Sequence, residues 1–353
     1  MDDLLHRGSL AYGYHRGNGC HLEKPSVRIA LDAMGGDKGL APIVEGGLSA
    51  AREYGIEIAF IGCQREIEQE LARQAPTPAG VTIVHASEVV EMGDEPGTAV
   101  HNKRDSSMVV GVELVKKEHA AAFVSAGNSG GVLAAAQMYL GRLPGVRRSA
   151  LGTVYPTLQG FCFVLDVGAT TDCKPEYLLQ FGIMGSAYST GALKVAQPRV
   201  GLLSNGEEQV KGSLLVKEAH QLLKPSGLNF VGNIEGKDIL YQPVDVLVTD
   251  GFTGNVFIKT SEGVVALLTK TMEREIRRRP QAVVGALLAR SALRAAKASL
   301  DYTNYGGAVL LGVNGITIVA HGRSNAKAIK NAIRVAKQAV DADIVGAIKE
   351  GLN

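Results

Sequence analysis

Short runs of β-branched and other apolar residues alternate along the chain with longer segments of helical periodicity, beginning at Val27. Such alternation predicts a mostly parallel sheet with crossover helices on both faces, an α/β fold of three layers. RLPGVRR at 142–148 is a possible boundary between two halves, but a sheet continuous through both halves is equally compatible with the pattern. The predicted strands are VRIALD, IEIAFIG, VTIVHA, AAFVSAG, FCFVLDVG, RVGLLSN, NFVGN, VDVLVTDG and ITIVAHG.

Composition narrows the class of protein. The 353 residues are 46% hydrophobic, enough for a substantial core. The net charge of +2 argues against dedicated binding of duplex nucleic acid, so any anion site must be local. Residues 1–26 are mostly polar and contain several glycines, which predicts a disordered extension. Because no secretory pattern, membrane-length apolar run or paired cysteine spacing is present, we expect a cytoplasmic protein without a metal site.

Glycine together with Asp, Asn or Ser follows most of the predicted strands. Ligands of open α/β sheets bind at the carboxyl ends of the strands, where such glycines let backbone N–H groups face an anion. Turn chemistry explains any one of these loops, but the repetition favours a phosphate site. The loops are LDAMGGD (31–37), SAGNSGG (125–131), LDVGATTD (165–172), LSNGEE (203–208), GNIEG (232–236), TDGFTGN (249–255) and AHGRSN (320–325).

The segment 99–120 predicts a helix whose start carries Lys103, Arg104 and Ser106. Cations near a helix start oppose the helix dipole unless an anion is bound there, so we expect a phosphate contact rather than a solvated face. A dinucleotide site fits poorly because no G-x-G-x-x-G follows the first strand. A Walker A lysine is also absent from the sequence.

VTDGFTGNVFIKTSEG, residues 248–263, joins a strand to a helix. Asp250 ends the strand, Thr253 or Asn255 caps the helix, and Lys259 lies about one turn inside it. We predict that Asn255 contacts the reacting group and that Lys259 balances Asp250 or the anion. The alternative is that Asn255 only caps the helix and Lys259 is only solvated.

Taken together, the motifs closely resemble the bacterial phosphate acyltransferase family, which makes acyl phosphate from acyl-acyl carrier protein and orthophosphate for phospholipid synthesis. The resemblance is collinear from about Val27 to the C-terminus. The motifs are IALDAMGGD, KRDSSM, VSAGNSGG, LDVGA, VGLLSNGEE followed by KG, NFVGNIEG, VTDGFTGNVFIKTSEG, YGGAVLLGVNG and AHGRSN.

The resemblance implies an isopropylmalate dehydrogenase-like domain over residues 27–353, acting as a homodimer without cofactor or metal. Orthophosphate would attack the thioester directly, so no protein nucleophile is expected. The implied partners are acyl carrier protein, orthophosphate, an anionic membrane surface and a membrane glycerol-phosphate acyltransferase, with no nucleic acid. His101 stands where the family usually has arginine, and Arg323 where it usually has a second serine.

These inferences give one set of candidate site residues. We expect catalytic roles for Asp250, Asn255, Lys259 and His321. The expected substrate and phosphate contacts are Asp32, Gly35, Gly36, Asp37, Lys103, Arg104, Ser106, Ser125, Gly127, Asn128, Ser129, Asn205, Asn233, Thr253, Arg323 and Ser324.

A helical pair at about 262–300, with a break near Pro280, is predicted to protrude from the domain. Its second helix carries an apolar arc, which buried packing or a dimer contact would explain without lipid. The excess of basic residues beside the arc favours reversible contact with an anionic membrane, giving a cytoplasmic, peripherally membrane-associated protein. The arc is Val283, Val284, Leu287 and Leu288, edged by Arg290, Arg294 and Lys297.

Two other functions stay open at this level. The same loops would serve a phosphate acetyl- or butyryltransferase that uses coenzyme A thioesters, because their sequence does not indicate whether the acyl donor is a carrier protein or coenzyme A. The second alternative is a non-catalytic scaffold that binds acyl carrier protein or recruits lipid enzymes. Formation of acyl phosphate by the protein would exclude this alternative.

Overall fold

The computed structural model describes residues 27–241, 244–300 and 304–352. The predicted extension at 1–26 and the side chain of Lys297 lie outside the described residues. The strands are β1 Arg28–Asp32, β2 Glu57–Gly62, β3 Val81–His85, β4 Ala122–Ser125, β5 Ala150–Thr157, β6 Gly160–Leu165, β7 Val200–Ser204, β8 Phe230–Glu235, β9 Val246–Val248, β10 Ala308–Leu311 and β11 Ile316–Val319.

Helices follow most of the strands, as the alternating pattern predicts. They are α1 Leu40–Tyr54, α2 Gln64–Arg73, α3 Pro96–Asn102, α4 Ser107–Lys116, α5 Ser129–Ala135, α6 Pro175–Gly191, α7 Leu214–Leu223, α8 Gly251–Arg277, α9 Pro280–Leu288, α10 Arg290–Leu300, α11 Ala326–Asp341 and α12 Ile344–Leu352.

All the described strands form one sheet, in the order β3-β2-β1-β4-β11-β10-β5-β6-β9-β7-β8. Helices cover both faces, and the side chains of each strand alternate between the two cores. In β1, Leu31 packs in one core with Phe60 and Ile329, whereas Ala30 faces the other core with Phe123. The predicted three-layer α/β/α fold with a mostly parallel sheet is therefore confirmed.

Two strands were not predicted, and they change the geometry of the sheet. β10 runs antiparallel to both of its neighbours, and β5 runs antiparallel to β6. The strands β1 to β4 and β11 therefore point one way, and β6 to β9 point the other way. A fully parallel sheet would place all the polar loops at one edge, but this reversal divides them into a first-half group, after β1, β4 and β11, and a second-half group, after β6 to β9.

The segment after β9 forms a protrusion from the sheet. Only Gly251 and Gly254 of α8 are buried, and none of α9 is. The 27 residues of α8 correspond to about 40 Å of helix. The predicted helical pair is present, but its second member consists of two helices, α9 and α10.

Candidate active site

Asp32 lies at the carboxyl end of β1 and organises the first-half loops. Its carboxylate accepts hydrogen bonds from Ser125 Oγ at 2.6 Å and from Met34 N at 3.0 Å. Burial raises the pKa of Asp32, against the opposing effect of hydrogen bonds from Ser125 and Ser107. The two predicted contacts Asp32 and Ser125 are thus brought together, and both are buried and bonded to protein groups.

Glycines let the loops after β1, β4 and β11 pack against one another. A Cβ placed on Gly35 would lie only 2.7 Å from Gly127 N, so both backbones must stay bare at this contact. Gly36 has a φ of +106°, a conformation that favours glycine. Asp37 N donates to Gly322 O at 2.8 Å, which ties the β1 loop to the β11 loop. We call loops 32–37, 125–129 and 320–324 the first-half cluster, because they lie at the sheet edge where the neighbouring strands β1, β4 and β11 end.

The other predicted residues of this cluster differ in whether their side chains are bonded within the protein or exposed. Asn128 caps α5, since its Oδ1 accepts from Gly131 N at 3.0 Å, and its Nδ2 donates to carbonyl oxygens of the 91–94 loop. Ser324 is buried, whereas Ser129 and Arg323 are exposed. Ser129 and Arg323 are therefore the members whose side chains are open to an anion.

The prediction of one helix over 99–120 that begins with Lys103 and Arg104 is wrong, because two helices, α3 and α4, cover most of this segment. These residues lie between α3 and α4, and Ser106 caps α4 by accepting from Val109 N at 3.4 Å. Lys103 Nζ donates to Asp94 Oδ2 at 2.6 Å, a hydrogen bond that lowers the pKa of Asp94. Arg104 is exposed. Lys103 is thus held by an ion pair, whereas the exposed Arg104, whose Nε donates to His101 O at 3.5 Å, can still turn its other guanidinium N–H groups to a ligand.

In the second half, Asp250 is the cap of α8. Its carboxylate accepts from Thr253 N at 2.9 Å and from Thr253 Oγ1 at 2.7 Å. The expectation that Thr253 or Asn255 caps this helix is therefore wrong. Within the described residues the exposed Asn255 side chain makes no hydrogen bond, and it lies near Gly168 of the β6 loop, 3.9 Å from the point where a Cβ on that glycine would be. Its amide is available to a bound molecule.

The predicted asparagines Asn205 and Asn233 hold the loops after β7 and β8. Asn205 Oδ1 accepts from Gly212 N at 2.8 Å. The buried Asn233 pairs its Oδ1 with His220 Nδ1 at 3.0 Å and donates through Nδ2 to Glu208 O at 2.9 Å. Both asparagines therefore hydrogen-bond to protein groups that fix the conformation of these loops.

Lys259 and His321 join the two groups of loops. Lys259 Nζ, on α8 of the second half, lies 3.4 Å from Nε2 of His321, which follows β11 of the first half. Lys259 also donates to Glu262 Oε2 at 3.1 Å. Burial lowers the pKa of His321, and the positive charge of Lys259 lowers it further. The imidazole is therefore predominantly neutral at pH 7, and the two predicted residues mark the meeting point of the halves.

Two further polar residues of the second-half loops were not among the predicted site residues. Asp166, within the LDVGA motif, is fully buried at the end of β6 and accepts hydrogen bonds from backbone N–H groups. Lys211 is exposed in the loop that Asn205 shapes, and within the described chain it forms no ion pair. An Asp after an apolar strand and a lysine beside a glycine were the signals available, but each is common in turns.

Comparisons with known proteins agree with one another. A family model described as fatty acid synthesis protein matches residues 27–346. A curated protein named phosphate acyltransferase, from Pelotomaculum thermopropionicum, is 47% identical over 328 residues, covering 92% of this chain and 95% of the relative.

Solved structures support the fold. A phosphotransacetylase from Streptococcus pyogenes aligns with a TM-score of 0.61 at 15% identity, covering 91% of this chain and 94% of its own. A 4-hydroxythreonine-4-phosphate dehydrogenase from Klebsiella pneumoniae aligns with a TM-score of 0.51 at 13% identity, covering 89% of this chain and 100% of its own. The architecture is shared with phosphotransacylases and with dehydrogenase-like proteins.

Proposed function

Because this chain belongs to the fatty acid synthesis protein family and has a curated relative, 47% identical to it, that is named phosphate acyltransferase, we propose that it transfers a fatty acyl group from acyl-acyl carrier protein to orthophosphate. The product would be acyl phosphate for phospholipid synthesis. Phosphate acyl transfer follows from the relatives, and the carrier-protein donor is the finer part of the proposal.

The observation that carries this proposal is the approach of Lys259 to His321 between the two groups of loops. Asn255 lies one helical turn before Lys259 on α8, with its amide open to a bound molecule. A cation, an amide donor and a neutral imidazole thus line one stretch of α8 and the loop facing it. These groups suit a reaction in which negative charge moves from phosphate to a carbonyl oxygen and then to sulfur.

The proposed reaction is a direct displacement. A phosphate oxygen attacks the thioester carbonyl, the carbonyl π electrons move to oxygen, and collapse of the tetrahedral intermediate breaks the C–S bond. Asn255 would donate to the carbonyl oxygen, and Lys259 would balance the phosphate charge. Because a thiol has a pKa of about 8.5, the thiolate leaves without a strong general acid. The neutral His321 would accept a hydrogen bond from Lys259 through Nε2 and so hold the ammonium toward phosphate.

Cys173 is a poor candidate for an acyl-enzyme nucleophile. This residue lies beside the second-half loops, and its Sγ donates to Thr170 O at 3.4 Å. Burial raises the pKa of Cys173 to about 12, so its thiolate is scarce at neutral pH. Phosphate itself, already anionic at that pH, is the better nucleophile.

The choice of carrier is tested by supplying the same acyl chain on acyl carrier protein and on coenzyme A. We expect phosphate-dependent acyl phosphate from both, with a kcat/KM at least about tenfold higher for the carrier protein, because a protein donor makes additional contacts outside the reacting centre. Preference for the coenzyme A thioester would make the enzyme a phosphotransacylase of small thioesters. Absence of acyl phosphate from either donor would support a scaffold.

The protrusion supports the proposed homodimer and membrane contact. In α9 the side chains of Val284, Leu287 and Leu288 are 62%, 72% and 84% exposed. Val264 and Leu267 of α8 are also exposed. Among the described helices none is long and apolar enough to cross a bilayer. We propose that this apolar surface serves the dimer along α8 and an anionic membrane at α9, where the product would reach a membrane glycerol-phosphate acyltransferase.

A further inference from the structure

We propose that Asp166 is a positioning residue for acyl transfer, which sets the start of α8 and thereby Asn255 without touching substrate. This inference rests on the proposed function for its kinetic test. It is carried by the hydrogen bonds that connect the buried carboxylate to α8.

The carboxylate of Asp166 is bound almost entirely by backbone. Oδ1 accepts from Leu151 N at 2.8 Å and from Gly168 N and Ala169 N at 3.0 Å each. Oδ2 accepts from Thr170 N at 2.7 Å. Four N–H donors converge on one side chain, so the loop 166–170 is folded around it. These N–H groups are consequently occupied and do not bind the substrate anion.

The loop passes this constraint to α8. Thr170 O accepts from Gly251 N at 2.9 Å, so the helix begins directly on the loop. The contact is tight, because a Cβ on Gly251 would lie 2.6 Å from Thr170 O and 2.7 Å from Asp166 Oδ2. Gly254, in the first turn of α8, packs against the carbonyl oxygen of Asp166 so closely that an added Cβ would overlap it. Two points of the loop therefore fix the first turns of α8.

Asp166→Asn is the most direct perturbation. The amide keeps the shape but replaces one acceptor oxygen with an N–H₂ group, which opposes the N–H groups now pointing at it. We expect kcat to fall at least about tenfold with the KM for phosphate within about threefold, the pattern of a geometric defect in the transition state. Hydrogen exchange at Thr170 and Gly251 should quicken in the same variant.

A matched control exists in the same half of the sheet. Asp245 accepts three hydrogen bonds from Arg199, at 2.7, 2.8 and 3.0 Å, at the amino ends of β7 and β9. Asp245→Asn should lower the melting temperature comparably and leave kcat within about twofold, because it perturbs the opposite edge. Equal loss of kcat in both variants would show that Asp166 is merely structural and would overturn the proposal.

Gly251→Ala covers the case in which Asp166→Asn does not fold. It leaves the carboxylate intact and pushes the loop from the helix start, so the same selective loss of kcat is expected. Wild-type kcat in this variant would overturn the proposal. If the wild-type enzyme makes no acyl phosphate, the proposed function fails. Unchanged exchange at Gly251 in Asp166→Asn would then separately refute the connection to α8.

Discussion

Replacing Asn255 with alanine separates catalysis from helix capping on α8. Asp250 is the cap, and its two hydrogen bonds from Thr253 are worth about 1 kcal/mol of stability. The exposed Asn255 makes no hydrogen bond within the described residues, so its removal changes stability by less than about 0.5 kcal/mol. The proposed donation to the carbonyl oxygen is worth far more in the transition state, a factor of about 10² to 10³ in kcat.

The experiment compares three variants. Asn255→Ala should lose about a hundredfold in kcat at an unchanged melting temperature, and Asn255→Asp should lose as much because it lacks the N–H donor. Asp250→Ala should lower the melting temperature by roughly 2 °C. Thr260→Ala, an exposed position on another side of α8, is the control for the helix surface.

The assays are trapping of acyl phosphate with hydroxylamine and calorimetric melting. A kcat of Asn255→Ala within threefold of wild type would refute the reasoning, since the side chain would then be only a solvated group. A large fall in its melting temperature would also count against the assignment, because it would show a structural role.

The remaining predictions concern charge and the apolar protrusion. Arg104→Ala should raise the KM for phosphate about tenfold or more, since a charge-assisted contact is worth roughly 1.5–3 kcal/mol, whereas Lys103→Ala should mainly lower the melting temperature because its ammonium pairs with Asp94. Unchanged phosphate kinetics in Arg104→Ala would place the anion elsewhere. NMR titration should find the pKa of His321 below its ordinary value, and Lys259→Met should raise it by removing a like charge. With a lowered pKa in the folded protein, His321 binds a proton more readily in the unfolded state, so its contribution to stability falls as the pH drops through about 6.5. A measured pKa of His321 at or above that value would contradict the site geometry. Wild type should co-sediment with anionic vesicles at low salt, and a variant with Leu287→Glu and Leu288→Glu should not, while keeping the oligomeric state of wild type; equal binding of the two proteins would exclude α9 as the contact.

The strands that the hydrophobic pattern missed explain the main error in the predicted geometry. β5 contains Gly152 and Pro156, and β10 has four residues inside a glycine-rich segment, so neither stands out as a strand. Both lie in the middle of the sheet, where they reverse its direction. Periodicity identifies individual strands, but the direction of a neighbour depends on tertiary pairing.

The residue types of the candidate site could be predicted from the sequence, but the hydrogen-bond partner of each residue could not. Lys259 and His321, 62 positions apart in sequence, were both selected, and the structure places them 3.4 Å apart. The roles of Lys103 and Asp32 could not be derived, because their partners Asp94 and Ser125 are supplied by other segments. Asp166 was missed because its proposed positioning role rests on hydrogen bonds from backbone N–H groups, which the sequence does not show.

A single-turnover experiment tests the central claim that phosphate attacks the acyl donor directly. Acyl-acyl carrier protein with a labelled acyl chain is mixed with excess enzyme, first without phosphate and then with it, and each reaction is quenched by acid. We predict no labelled enzyme in the first reaction and labelled acyl phosphate in the second. Acyl-enzyme that accumulates without phosphate, or a lack of acyl phosphate once phosphate is present, would contradict the account.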